Sequence, residues 1–243
     1  MKISVLAVFI TFFALVNSLR AQNAMPDTAF IQVAVSNATE AYKSAVGIHA
    51  HLYTGPEYVN HRKQFMEGHQ FFETNQLSEG SVLYDGAWYQ QVPMFYDVVT
   101  DEIILYNSGF SQKLVSKKVK TFYFLNHKFE RFEHDSTGAF PYQSGFYDVL
   151  HEGSVQLLAK RVKVANERAT SQGMEGDYSI ADKYFLEKDG KYQQVKNKRS
   201  LYKALQTNKK QLNEYVRANK IKFRKNREEA MARVVGYYDS LNP

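Results

Sequence analysis

Ser81-Val82-Leu83-Tyr84-Asp85-Gly86-Ala87-Trp88-Tyr89-Gln90-Gln91-Val92 sets the architecture of this 243-residue chain. Two runs rich in aromatic and aliphatic side chains flank Asp85-Gly86, whose residues tolerate the positive φ angles of a type I′ turn. The pattern predicts a hairpin of Ser81 to Tyr84 with Ala87 to Val92. The same punctuation recurs downstream. Phe95 to Val99 and Glu102 to Tyr106 flank Thr100-Asp101, and Asn107-Ser108-Gly109 turns the chain into Phe110 to Val115. Lys120 to Leu125 and Lys128 to Phe132 flank Asn126-His127. Phe146 to Leu150 and Ser154 to Val164 flank His151-Glu152-Gly153, and Tyr184 to Lys188 and Lys191 to Val195 flank Asp189-Gly190. About ten short strands at regular spacing predict an antiparallel β-meander over residues 80–196, as a curved sheet, sandwich or barrel. Glu167 to Asp177 is polar and contains glycine, so a mobile loop is expected there.

The period changes on both sides of this domain. Phe30, Val33, Ala34, Ala38 and Ala41 recur at helical spacing, which predicts a helix over Asp27 to Ala45, capped by Asp27 and ended by Gly47. Gly55-Pro56 forces a turn among scattered aromatic residues, so residues 22–79 read as that helix followed by an irregular wrap. In residues 197–243 Ser200 is placed to cap a short helix carrying Leu201 and Leu205. Asn208 with Gln211, and Asn226 with Glu229, have the spacing of capping boxes for two more helices. Leu212, Tyr215 and Val216 form one apolar stripe, and Met231, Val234, Val235 and Tyr238 another. These stripes predict an α-hairpin, and they are too small to stabilise it alone, so docking on the β-domain is expected. The fold class is α+β.

Residues 1–21 read as a secretory signal peptide, with Lys2 followed by an apolar run from Ile3 to Val16 and then small and polar residues. The run is too short for a membrane span, which needs about 20 residues. Cleavage is expected after Ala21, leaving Gln22 as the mature start. The chain has no cysteine, which excludes a lipoprotein anchor, disulfides and thiolate metal sites. The expected location is therefore periplasmic or outer-membrane-associated, without a lipid anchor or a transmembrane span.

Seventeen Phe and seventeen Tyr suit a folded, strand-rich chain. The net charge of +6 conceals an asymmetry: residues 22–150 carry 9 Lys and Arg against 14 Asp and Glu, whereas residues 183–243 carry 16 against 6. Gly86, Gly138 and Gly190 are each 52 apart and precede aromatic-Gln clusters, and Phe95-Tyr96-Asp97-Val98 recurs as Phe146-Tyr147-Asp148-Val149. That spacing fits an internal repeat, or separate hairpins that reuse the same turn chemistry.

Few residues point to chemistry. His49, His51, His61 and His69 crowd 21 residues and, with Glu57 or Glu67, are the candidate metal ligands, although scattered surface histidines explain them better. Asp97 and Asp148 invite a paired-carboxylate reading. In a strand, each aspartate points away from its neighbouring Tyr and Val or caps the coming turn, which accounts for both without catalysis. Nucleophile-elbow, dinucleotide and Walker signatures are absent, and neither a catalytic residue nor a cofactor is assigned. Lys209, Arg217 and Lys220 share a helical face, and Lys222, Arg224, Lys225 and Arg227 extend it. This is the candidate anion-binding surface, or else a solvated face that keeps the protein soluble.

Leu52-Tyr53-Thr54-Gly55-Pro56-Glu57-Tyr58, Gly68-His69-Gln70-Phe71-Phe72, Val82-Leu83-Tyr84-Asp85-Gly86, Phe95-Tyr96-Asp97-Val98 and the basic helical tail together resemble a family of uncharacterised exported proteins of Bacteroidota-type bacteria. The resemblance covers nearly the whole mature chain, implies export with cleavage before Gln22, and carries no catalytic residues. The expected function is a non-catalytic envelope protein that binds an anionic lipid or polysaccharide, or another envelope protein, but not nucleic acid. A glycan-acting hydrolase with paired carboxylates in an aromatic cleft is the alternative.

Overall fold

The computed structural model describes residues 28–46, 51–60, 62–107, 109–136, 140–206 and 209–241. The signal peptide, His49, His61, the helix stop at Gly47, the central glycine of the 52-residue spacing and the cap at Asn208 lie outside them. Helix α1 (Thr28–Val46) forms one unit, with Phe30, Val33 and Tyr42 exposed. Residues 51–243 form the other.

The second unit contains β1 (Met66–Glu67), β2 (Ser78–Tyr84), β3 (Ala87–Asp97), β4 (Glu102–Asn107), β5 (Phe110–Lys113), β6 (Val119–Phe124) and β7 (His127–Phe132). It continues with β8 (Gly145–His151), β9 (Gln156–Lys160), β10 (Lys163–Thr170), β11 (Gly173–Ile180), β12 (Lys183–Lys188) and β13 (Lys191–Val195). Helices α2 (Lys198–Leu205), α3 (Lys209–Ala218) and α4 (Arg227–Leu241) complete it. Ten strands make one sheet in the order β13-β12-β9-β8-β7-β6-β2-β3-β4-β5, antiparallel throughout and not closed into a barrel. No helix among the described residues is long and apolar enough to cross a membrane.

The sheet curls far enough for the β3–β4 turn to reach β8 and β9. Asp101 accepts hydrogen bonds from the Phe146 amide (3.1 Å) and from Lys160 Nζ (2.6 Å). Gly145, at φ +148°, leaves the space that this contact needs, because a Cβ there would run into both Asp101 and Lys160. Inside the curl Tyr84, Tyr96, Phe122, Phe129 and Phe146 pack with Leu52 and Phe72 of the wrap. Phe122 stacks on Phe129 at 4.5 Å, and Tyr96 meets both edge-on. The wrap therefore packs into the β core. Farther along the sheet Leu157, Ala159, Tyr184 and Leu186 lie under Leu201, Leu205, Leu212, Met231 and Val234. The intervening residues Leu158 and Phe185 face the opposite side, where Tyr147 and Phe140 cover them. Both faces are buried there, so these strands read as continuous apolar runs instead of alternating ones.

Several expectations change. Glu167 to Asp177 is not a loop: β10 and β11 pair over their full length as a ribbon, to which β1 adds in parallel. Ionic and polar pairs such as Arg168 with Glu175 (3.0 Å) hold it, and most of its side chains are exposed. A ribbon wet on both faces has no apolar alternation for a sequence to display. Ser154 to Val164 divides into β9 and β10 at Arg161-Val162. Helix α2 is capped by Asn197, and Ser200 is the N3 partner of that capping box. Asn226 and Glu229 do open α4, the Glu229 amide donating to Asn226 Oδ1 at 3.1 Å. The two Phe-Tyr-Asp-Val segments present opposite faces: Tyr96 packs inside the curl, whereas Tyr147 packs on the outer side. They are not copies of one structural unit.

Candidate functional site

All seven residues of the predicted anion-binding surface, Lys209, Arg217, Lys220, Lys222, Arg224, Lys225 and Arg227, are exposed. Lys220, Lys222 and Lys225 converge with Arg233 on a cleft of about 360 Å³ between the end of α3 and the start of α4. Lys220 sits in the left-handed region at φ +52°, which ends α3 and turns the chain into the cleft. Asn226 and Glu229 also line it. Glu229 is engaged by Asn226 Nδ2 (3.0 Å) and lies 3.7 Å from Arg233. No carboxylate among the described residues pairs with Lys220, Lys222 or Lys225. Lys209, Arg217 and Arg224 do not line the cleft, and Arg227 covers the Tyr184 ring at 4.9 Å. Arg233 was missed at the sequence level, although positions 226, 229, 230 and 233 share one helical face.

A larger cleft, about 580 Å³, is lined by the wrap and was not foreseen. Two legs of the wrap build it. Residues 56–58 hook onto the free edge of β5, the Tyr58 amide donating to the Ser111 carbonyl and the Lys113 amide to the Pro56 carbonyl, both at 2.9 Å. This approach requires Gly55, because a Cβ there would strike the Lys113 carbonyl. Residues 70–72 hook onto β3, the Phe72 amide donating to the Tyr96 carbonyl at 2.8 Å and the Val98 amide to the Gln70 carbonyl at 3.1 Å. Tyr58 and Gln70 thereby meet above Asp97. The Tyr58 hydroxyl donates to Asp97 Oδ2 at 3.0 Å and accepts from Gln70 Nε2 at 3.2 Å. The β10–β11 ribbon supplies the far wall with Glu167 and Tyr178, and Lys63 ties it down through Glu167 at 2.7 Å.

Asp97 is 2% exposed, and its Oδ1 accepts from the amides of Val99 (2.9 Å) and Thr100 (3.2 Å). It therefore caps the β3–β4 turn. Burial raises its pKa, and Glu102, its cross-strand neighbour on β4, raises it further. Burial likewise pushes the Tyr58 hydroxyl up to about 12.

Asp148 serves elsewhere. It receives both Nε and Nη2 of Arg161, whose Nη1 reaches Asp182 (2.8 Å) and Glu228 (2.6 Å), and His127 Nδ1 lies 2.8 Å away. Asp97 and Asp148 share no hydrogen-bonding partner, and each is held by its own structural contacts. His151, Ser154 and Asp239 also meet, with the carboxylate in the middle. A nucleophile activated by a base needs the imidazole there, so this cluster clamps α4 to the sheet instead.

The described metal candidates are not brought together. His51 binds Asp85 at 2.7 Å, whereas His69 stacks on Phe71 and lies 3.4 Å from Lys163. Glu57 lines the larger cleft. No grouping of three possible ligands occurs among the described residues. No family model matches the chain, and neither a curated protein nor a solved structure is significantly similar to it.

Proposed function

We propose that the protein is a non-catalytic, exported envelope component that holds a phosphate-bearing lipid headgroup in the cleft of Lys220, Lys222, Lys225 and Arg233. The observation that carries this reading is the convergence of three lysines, without carboxylate partners among the described residues, on a concavity of about 360 Å³ at the start of a 15-residue helix. The N-terminus of α4 adds the positive end of its dipole. A concave site suits a compact phosphate better than an extended polysaccharide, which an open basic face would track. Export is supported by the signal-peptide pattern of residues 1–21, and the absence of cysteine argues against a lipid anchor. Catalysis gains no support from Asp97 and Asp148, because both are committed to structural partners.

The test is retention on vesicles of phosphatidylglycerol and phosphatidylcholine, measured between 50 and 300 mM salt on the basis of counterion release. Wild type should bind the anionic vesicles alone and lose binding as salt rises. The triple variant Lys220→Gln, Lys222→Gln, Lys225→Gln should lose it at low salt with an unchanged melting temperature. Equal retention of wild type and triple variant would overturn the assignment.

A further inference from the structure

We propose that the cleft of Tyr58, Gln70 and Asp97 is a second binding site, taking a neutral polyhydroxylated ligand, namely a short saccharide segment. Its volume of about 580 Å³ falls within the ordinary range of small-molecule sites, roughly 300–1,000 Å³. Four of the charged groups on its walls are paired in place, Lys63 with Glu167 at 2.7 Å and Lys113 with Glu102 at 2.8 Å, and the others, Arg62, Glu57 and Asp97, are of both signs. A charged ligand would have to break one of these pairs or face a like charge. A hydroxyl, which both donates and accepts, can bond to either member without disturbing it.

Two further observations point to such a ligand. Gln70 is 5% exposed, yet its Oε1 has no hydrogen-bonding partner while both of its amide hydrogens are used, on Tyr58 and on Asn60 Oδ1 at 3.0 Å. A buried carbonyl oxygen left unpaired costs about 1–3 kcal/mol, and because Gln70 lines the cleft, a donor that enters and meets it relieves that cost. Tyr58 and Tyr178 both line the cleft half-buried, and aromatic side chains suit the apolar C–H faces of a sugar while their hydroxyls stay polar. The carboxylates favour binding over hydrolysis, since Asp97 is enclosed as a turn cap and Glu102 and Glu167 are held by lysines, which leaves Glu57 as the accessible one.

The proposal is independent of the basic cleft, and salt separates the two. Titration of the mature chain with cellobiose, maltotriose and chitobiose, followed by amide chemical shifts, should perturb Tyr58, Gln70, Thr100 and Tyr178 with at least one of them. The affinity should be unchanged between 50 and 500 mM salt. Tyr178→Ala and Glu57→Ala, both on accessible side chains, should weaken that binding at least tenfold without lowering the melting temperature. The sugar should be recovered intact. The proposal is overturned if none of the three sugars shifts these amides, if both variants bind as wild type does, or if new reducing ends appear.

Discussion

Arg161 is 8% exposed and is surrounded by Asp148, Asp182 and Glu228, with the Phe72 ring stacked at 5.5 Å. It joins β8 to the first turn of α4, so one side chain couples the sheet to the helices. Removing it leaves Asp148 buried and short of a counter-charge, and such a loss costs about 3–5 kcal/mol. Arg161→Met should lower the urea midpoint accordingly, and a change below about 1 kcal/mol would show that the carboxylates find other partners. His127 tests the same centre through pH. The hydrogen bond to Asp148 raises its pKa above the ordinary value of about 6.5, Glu73 adds to this, and Arg161 and burial oppose it. A pKa raised in the folded state contributes stability that is complete below about pH 6.5 and is lost as pH rises through the folded value. The unfolding free energy should therefore fall above pH 6.5, and His127→Gln should flatten that slope.

Among the elements, α2, α3 and α4 are held mainly by what they cover. Leu201, Leu205, Leu212, Met231, Val234 and Val235 are all buried against Leu157, Ala159, Tyr184 and Leu186. Tyr215 and Tyr237 stack at 3.9 Å between α3 and α4, and Asp239 clasps the β8–β9 turn through Ser154 and His151 at 3.0 Å. Leu205→Ala should cost about 2–5 kcal/mol, as for other buried leucines. Truncation at Lys198 uncovers the entire apolar face and should yield aggregation or a lower melting temperature, read by light scattering and circular dichroism. A monomeric truncation product with an unchanged melting temperature would refute the packing argument. Gly145→Ala should likewise destabilise, because the new methyl group would displace Asp101 from Lys160.

For the molecule as a whole, the three buried clusters are built from residues 52–238. Charge is divided along the chain, with the acidic excess in residues 22–150 and the basic excess after residue 182. The basic cleft lies within that basic stretch, whereas the larger cleft is proposed to take a neutral ligand, so ionic strength should change their occupancies separately.

The sequence was sufficient for the hairpins at Asp85-Gly86 and Asp189-Gly190, the α+β class and the stripes of α3 and α4. Each depends on contacts within a few residues, where turn chemistry and periodicity are written locally. The α4 capping box is local in the same way, and so are three of the cleft lysines. Folding supplied what local pattern does not record. The β10–β11 ribbon is paired by its backbone while its side chains stay wet, so it carries no apolar signature. Tyr58, Gln70, Asp97 and Tyr178 lie as far as 120 positions apart, and they meet only because two legs of the wrap find free hydrogen-bonding edges on β5 and β3. Asp148 likewise owes its structural role to Arg161, a partner 13 positions away that strand periodicity does not reveal. A residue's neighbours across the fold determine its charge state and its exposure, and spacing along the chain does not encode them.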